Sequence, residues 1–225
     1  MPQLQTINIS SRSLLEKSRG SELEFSTRSM CSYIARQGEI ETPVSMLLIK
    51  LEPMTKEIRP PSVLDSTLSI QFTSSMDEVS DFLASSESER AAKTIGWITK
   101  AFKLAVEHNV YEVTALEQLH QVAGYAKQNQ YAHIYPTAKP AFTPNRKWSA
   151  TLIIDHRVTE AIGILQVAER SGQLRSSHEV FRTRPDELMF RMWLVRPKWA
   201  SNTSVEVVPK SWASGYKPFR LDVTT

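Results

Sequence analysis

The order of segments along this 225-residue chain predicts an α+β fold: a mostly antiparallel sheet packed on a central group of three to four helices, with extended N- and C-terminal arms. Three observations predict it. Apolar stretches of strand length lie near residues 44–51 and 67–72, segments with helix start signals follow between residues 75 and 126, and strand-like stretches return after residue 148. With 41% hydrophobic and 23% charged residues, the composition is that of a folded rather than a disordered chain.

Residues 1–42 are rich in Ser and charge, and their apolar clusters (Leu14–Leu15, Met30 to Ile34) follow no sustained period. They are read as a flexible or marginally helical N-terminal arm. A single α+β core domain is expected over residues 43–208. It opens with the apolar run VSMLLIKLE from Val44, a strand buried on most of both faces. Pro60 and Pro61 mark an extended connector, after which Leu68, Ile70 and Phe72 alternate with polar residues as a strand with one wet face would.

Three helices follow. Ser75 to Glu78, Ser86 to Glu89 and Thr114 to Glu117 each match the capping-box spacing, in which a hydroxyl and a carboxylate satisfy the free N–H groups of the first turn. Behind the second, Ile95, Ile98, Phe102 and Ala105 share one face; behind the third, Leu116, Leu119, Val122, Ala123 and Ala126 do. Residues 128–147, with three prolines, read as a long loop laid over the core. WSATLIID, from Trp148, reads as a strand. Val158, Ala161, Ile162, Leu165 and Ala168 recur at helical spacing, with Gly172 as a stop. Leu188, Phe190, Met192 and Leu194 alternate with Met189, Arg191, Trp193 and Val195 as in a strand, and SVEVVP is expected beside it. Residues 209–225 hold two prolines and a glycine and read as an extended C-terminal arm.

Several function classes lack support. Seven glycines in all, with no GxGxxG, Walker A or GxSxG pattern, argue against phosphate-cradling loops and a hydrolase elbow. The five histidines show no HExxH or His-x3-His spacing, so neither a metal nor another cofactor is expected. Cys31 is alone and reads as a half-buried apolar residue, in keeping with a reducing environment. The longest apolar run, Met46–Leu51, is too short to span a bilayer, and no apolar signal-peptide core is visible. The expected location is intracellular, in cytoplasm or nucleus, or in a virion. Arg59-Pro-Pro-Ser62 lacks PxxP spacing and reads as a rigid spacer.

Charge carries the strongest functional signal. Residues 1–120 hold 12 Lys and Arg against 16 Asp and Glu, and residues 121–225 hold 15 against 8, so an overall charge of +3 hides a net of −4 followed by +7. Within the basic half, Arg182, Arg184, Arg191, Arg196, Lys198, Lys210, Lys217 and Arg220 are interleaved with Phe190, Trp193, Trp199, Trp212, Tyr216 and Phe219. Cations neutralise phosphate and aromatic faces stack on bases, so this mixture suits single-stranded RNA. It also suits an anionic lipid surface, where Trp sits at the interface. Phe190 and Trp193 are assigned to the core. The candidate binding residues are Arg182, Arg184, Arg191, Arg196, Lys198, Trp199, Lys210, Trp212, Lys217 and Arg220.

Asp155-His156, at the end of an apolar strand, is the strongest enzyme candidate, with Glu160 and His133 available to complete an acid–base set. Strand neighbours point to opposite faces, however, and Asp155 is equally explained as a helix N-terminal residue. No catalytic residue is assigned. In composition alone the chain is similar to small virion proteins of the coat or matrix type. The expectation is therefore a non-enzymatic assembly protein that self-associates as a homo-oligomer through its arms. Its basic half would hold RNA, with an acidic membrane as the second choice and a protein with an acidic face as a third.

Overall fold

The computed structural model describes residues 3–11, 17–37, 40–185, 187–211, 215 and 217–223. Leu14, Leu15, Trp212 and Tyr216, which the sequence singles out, lie outside the described residues, as does the Leu188 side chain. The fold is α+β, and among the described ladders seven are antiparallel and two parallel. The chain divides into two compact units, Met1–Ala132 and His133–Thr225.

The first unit carries a sheet of order β1-β2-β4-β3, formed by Thr6–Ser10, Met46–Pro53, Ser62–Leu64 and Thr67–Ser74 in chain order. β1, β2 and β4 run parallel, and the helix α1 (Lys17–Gln37) supplies the crossover that joining parallel strands requires. The described part of the segment whose sequence suggests an arm is therefore an edge strand and a helix of the core. Leu4, Ile7, Ile9, Leu23, Met30 and Ile34 are all buried. Local periodicity is weak here because α1 gains its order from packing on the sheet rather than from its own apolar stripe. Cys31 is buried on the same helix, and burial pushes its thiol up to about 12, so it is a packing residue and not a thiolate.

Strand alternation sorts the sheet: β4 alternates as the sequence predicts, whereas β2, expected to be buried on most of both faces, buries one face and leaves the other half-buried. Leu47, Ile49, Leu51, Leu68, Ile70 and Phe72 are buried, while Leu48, Lys50, Ser69 and Gln71 are half-buried. Asp65, at φ 53°, turns the tight β3–β4 hairpin. Helices α2 (Met76–Ala84), α3 (Glu87–Glu107) and α4 (Val113–Gln128) follow, and two of the three start signals operate. Ser75 accepts from the Glu78 N–H at 3.0 Å, and Ser86 and Glu89 close a complete capping box. Thr114 does not cap α4: the helix begins at Val113, two residues earlier than that cap would start it, with Glu112 at the cap position and no side-chain bond there. Arg90 donates to the carbonyls of Ser85 and Leu83 and to the Ser26 hydroxyl, binding the end of α2 to α3 and α1.

The second unit is almost wholly antiparallel. Its larger sheet has the order β5-β7-β8-β9 (Ile134–Pro136, Trp148–His156, Ala161–Glu169, Leu174–Thr183), with β6 (Ala141–Phe142) also on β7. The helix expected from Val158 is strand β8, paired with β7 over nine positions and with β9 on its other side. Its β-branched residues and an internal glycine disfavour a helix, and the ladders on both sides decide the matter. Gly163 has a reason to be glycine: an added Cβ would lie 2.1 Å from the Phe181 ring. Gly172, at φ 92°, is the turn of the β8–β9 hairpin rather than a helix stop.

The strand expected over residues 188–195 is a helical turn, α5 (Glu187–Phe190), continued by a 3-10 turn at Arg191–Trp193. Phe190 and Trp193, three residues apart, both face inward with Met192, whereas a strand would have sent Phe190 and Trp193 to opposite faces. They join Leu152, Ile154, Leu165, Val167, Val205 and Val207 in the core of this unit. SVEVVP does form a strand, β11 (Ser204–Val207), but its neighbours are β10 (Lys198–Trp199) and β12 (Phe219–Asp222). The end of the segment expected as a C-terminal arm is thus a strand of this sheet, with Val223 buried and its N–H donated to the Thr203 carbonyl.

Candidate nucleic-acid interface

Two segments of the second unit run side by side and are stitched together by side chains. The Thr137 hydroxyl donates to the Val195 carbonyl at 2.7 Å, Arg196 Nη2 to the Pro140 carbonyl at 2.7 Å, and Trp199 Nε1 to the Ala141 carbonyl at 2.9 Å. Between them lies a groove of about 560 Å³, lined by Ala141, Phe142, Pro144, Arg196, Pro197, Lys198 and Trp199.

Strand geometry places each lining residue. In β6 the alternation buries Ala141 and leaves Phe142 half exposed, at 50%. In β10 it exposes Lys198 and turns Trp199 partly onto the core, where its ring packs and its N–H is held. The β6–β7 connection is a tight loop closed by Thr143, whose N–H donates to the Trp148 carbonyl and whose hydroxyl accepts from the Trp148 N–H. Arg146, at φ 55°, and Lys147 are exposed on that loop beside Pro144. Neither of them, nor Lys198, makes a side-chain hydrogen bond or ion pair with a described residue. Such cations keep their charge available to an outside anion.

Of the sequence candidates, Arg196, Lys198 and Trp199 meet in this groove, and the other described ones do not line it. Arg182 is held between Glu160 at 2.6 Å and Glu179 at 2.7 Å, and those bonds raise its pKa and lower that of Glu179. Arg220 donates to Ser204 at 3.0 Å and lies 3.7 Å from both Glu206 and Asp222. Both side chains are thus paired with acids of their own unit: Arg182 with Glu179 of β9 and Glu160 of the β7–β8 connection, Arg220 with Glu206 of β11 and Asp222 of β12. Arg184, Arg191 and Lys217 are exposed, and Lys210 is half-buried with its backbone N–H on the Met192 carbonyl. Trp212 lies outside the described residues.

The acid–base candidates separate. Asp155 accepts two bonds from Arg157, at 2.9 and 2.7 Å, and Glu160 is engaged by Arg182 and Arg157. His156 points the other way, fully buried, with Nε2 on the Pro185 carbonyl at 2.8 Å. It stacks on buried His133 with ring centroids 5.4 Å apart, and Phe190 meets it edge-on at 5.3 Å. Asp155 and His156 therefore lie on opposite faces of β7, as strand alternation demands. Among the described residues no cluster of three or more His, Cys, Asp or Glu could hold a metal ion. No described helix is long and apolar enough to cross a membrane.

The sequence does not single out Phe142, Arg146 or Lys147. The signal was present as an aromatic between two prolines followed by a basic pair, in Pro140 to Lys147. What the sequence lacks is any sign that this stretch lies against residues 196–199. Neither a protein-family model, a curated protein nor a solved structure matches the chain.

Proposed function

We propose that the protein is a non-enzymatic assembly protein of coat or matrix type, which self-associates and holds RNA in the groove between residues 140–144 and 196–199. One observation carries the reading: Arg196, Lys198 and Trp199 meet exposed Phe142 in a single groove of the basic half, flanked by Arg146 and Lys147. Available cations beside an exposed aromatic suit a phosphate backbone that carries bases. The separation of Asp155 from His156 favours binding over acid–base catalysis. The lone buried Cys31 fits work in a reducing compartment, inside the cell or in a virion.

The test is a titration of the full chain against RNA and against vesicles containing anionic lipid, each at several salt concentrations. RNA binding whose log affinity falls steeply with log salt is the expected result, because bound phosphates displace counterions. Vesicle binding without RNA binding would replace RNA by a membrane surface, and a flat response to both would end the proposal. Light scattering tests self-association, and a strictly monomeric protein with or without RNA would remove the assembly role.

A further inference from the structure

We propose that the groove prefers unpaired to paired RNA, with Phe142 as the platform on which a single base stacks; this rests on reading the groove as the RNA site. Arg196, Lys198, Arg146 and Lys147 do not distinguish the two forms, because phosphates line both a single strand and a duplex. The aromatic residue does. Phe142 leaves half of its surface in water although it sits on a strand bonded to β7, opposite Ser149. Its neighbour Ala141 is buried, so alternation turns the ring outward on the β6–β7 hairpin.

Trp199 has a different part. Its N–H is committed to Ala141 and its ring packs partly against the core, so it forms a wall that holds the groove open. Prolines 144 and 197 add stiff apolar surface to the same groove. Inside an RNA duplex the bases are stacked on one another, and the deep, narrow major groove does not admit a side chain. A duplex could therefore meet the cations and leave Phe142 wet, whereas a splayed base can cover the ring. Base–aromatic stacking tolerates every base, so the groove would show little sequence preference.

The experiment measures binding of the full chain to a labelled, unstructured single-stranded RNA and to the same strand annealed to its complement, across a salt series. Phe142→Ala, Phe142→Tyr and Lys198→Ala are compared with the unaltered protein. Phe142→Ala is expected to weaken single-strand binding roughly 5- to 150-fold, the range for losing one stacked base. It should leave duplex binding and the salt slope unchanged, and Phe142→Tyr should restore the single-strand preference. Lys198→Ala should lower the salt slope for both forms. Unchanged single-strand affinity of Phe142→Ala, with salt-dependent binding intact, would overturn the stacking role and leave the RNA reading standing. Equal weakening on both forms would overturn it too, pointing to a damaged groove. If neither form binds at any salt, the RNA reading itself fails, and an effect of Phe142→Ala confined to anionic vesicles would assign the ring to lipid.

Discussion

The Trp199 indole N–H donates to the Ala141 carbonyl at 2.9 Å, and this bond joins the two segments that wall the groove. Residues 141 and 199 are far apart in sequence, so each segment's own ladder, β6 on β7 and β10 on β11, has to be in register before the bond can form. Replacing Trp199 by Phe keeps most of the ring and removes the donor. We expect a loss of about 0.5–1.5 kcal/mol in urea unfolding, because the bond between the two segments is lost while Ala141 stays paired with Ala150 in the β6–β7 ladder. A variant with an unaltered unfolding midpoint would show that the bond does not secure the groove.

Cations that look alike in sequence should behave differently. Lys198 has no described acidic partner, while Arg182 is clasped by Glu160 and Glu179. Lys198→Ala is expected to reduce the slope of log affinity against log salt by about 0.7 for single-stranded RNA, as for one lost phosphate contact. Arg182→Ala should leave that slope unchanged. Equal effects from the two variants would mean that binding follows net charge and not the groove.

Gly163 and Phe181 share one space across the β8–β9 ladder. A Cβ on Gly163 would sit 2.1 Å from the Phe181 ring, which itself stacks on Trp193 with centroids 5.3 Å apart. Gly163→Ala should destabilise by about 1–3 kcal/mol through overpacking. The penalty should shrink in a Phe181→Ala background, since the two sites are in contact. Equal penalties in both backgrounds would locate the cost elsewhere, in the backbone of β8.

The capping box of α3 gives a pH dependence of known sign. Hydrogen bonds from the Ser86 hydroxyl and backbone N–H hold the Glu89 carboxyl below its ordinary value of 4.5. A carboxylate depressed in the folded state stabilises fully above its unfolded value and loses that contribution as pH falls through the folded one. Glu89→Ala should therefore lower the melting temperature at neutral pH, with a difference that narrows as pH drops below about 4.5. A difference that is constant with pH would assign the effect to helix propensity instead of the charged cap.

Where a segment's structure depends on its own neighbours, the sequence was readable. Ser75 and Ser86 cap helices because a hydroxyl reaches an N–H three residues on, and Leu68, Ile70 and Phe72 alternate because a strand does. The errors lie where one pattern fits two periods. Val158 to Ala168 satisfies a helical spacing, yet pairs on both sides as β8; Phe190 to Trp193 alternates, yet coils as a turn that sends Phe190, Met192 and Trp193 into one core. In each case the available ladder partner or core cavity outweighed the local preference.

The sequence by itself determined the α+β class, the helices behind Ser75 and Ser86, the strand at Trp148 and the placing of excess positive charge in the C-terminal half. Only the tertiary structure decided which of those charges are available and what stands beside them. Arg182 and Arg220 meet acids of their own unit, while Lys198 and Arg196 meet Phe142 across a groove that three long-range side-chain bonds close. The physical reason is that charge is a property of a residue, but its compensation and the shape around it depend on which distant segments the ladders bring together.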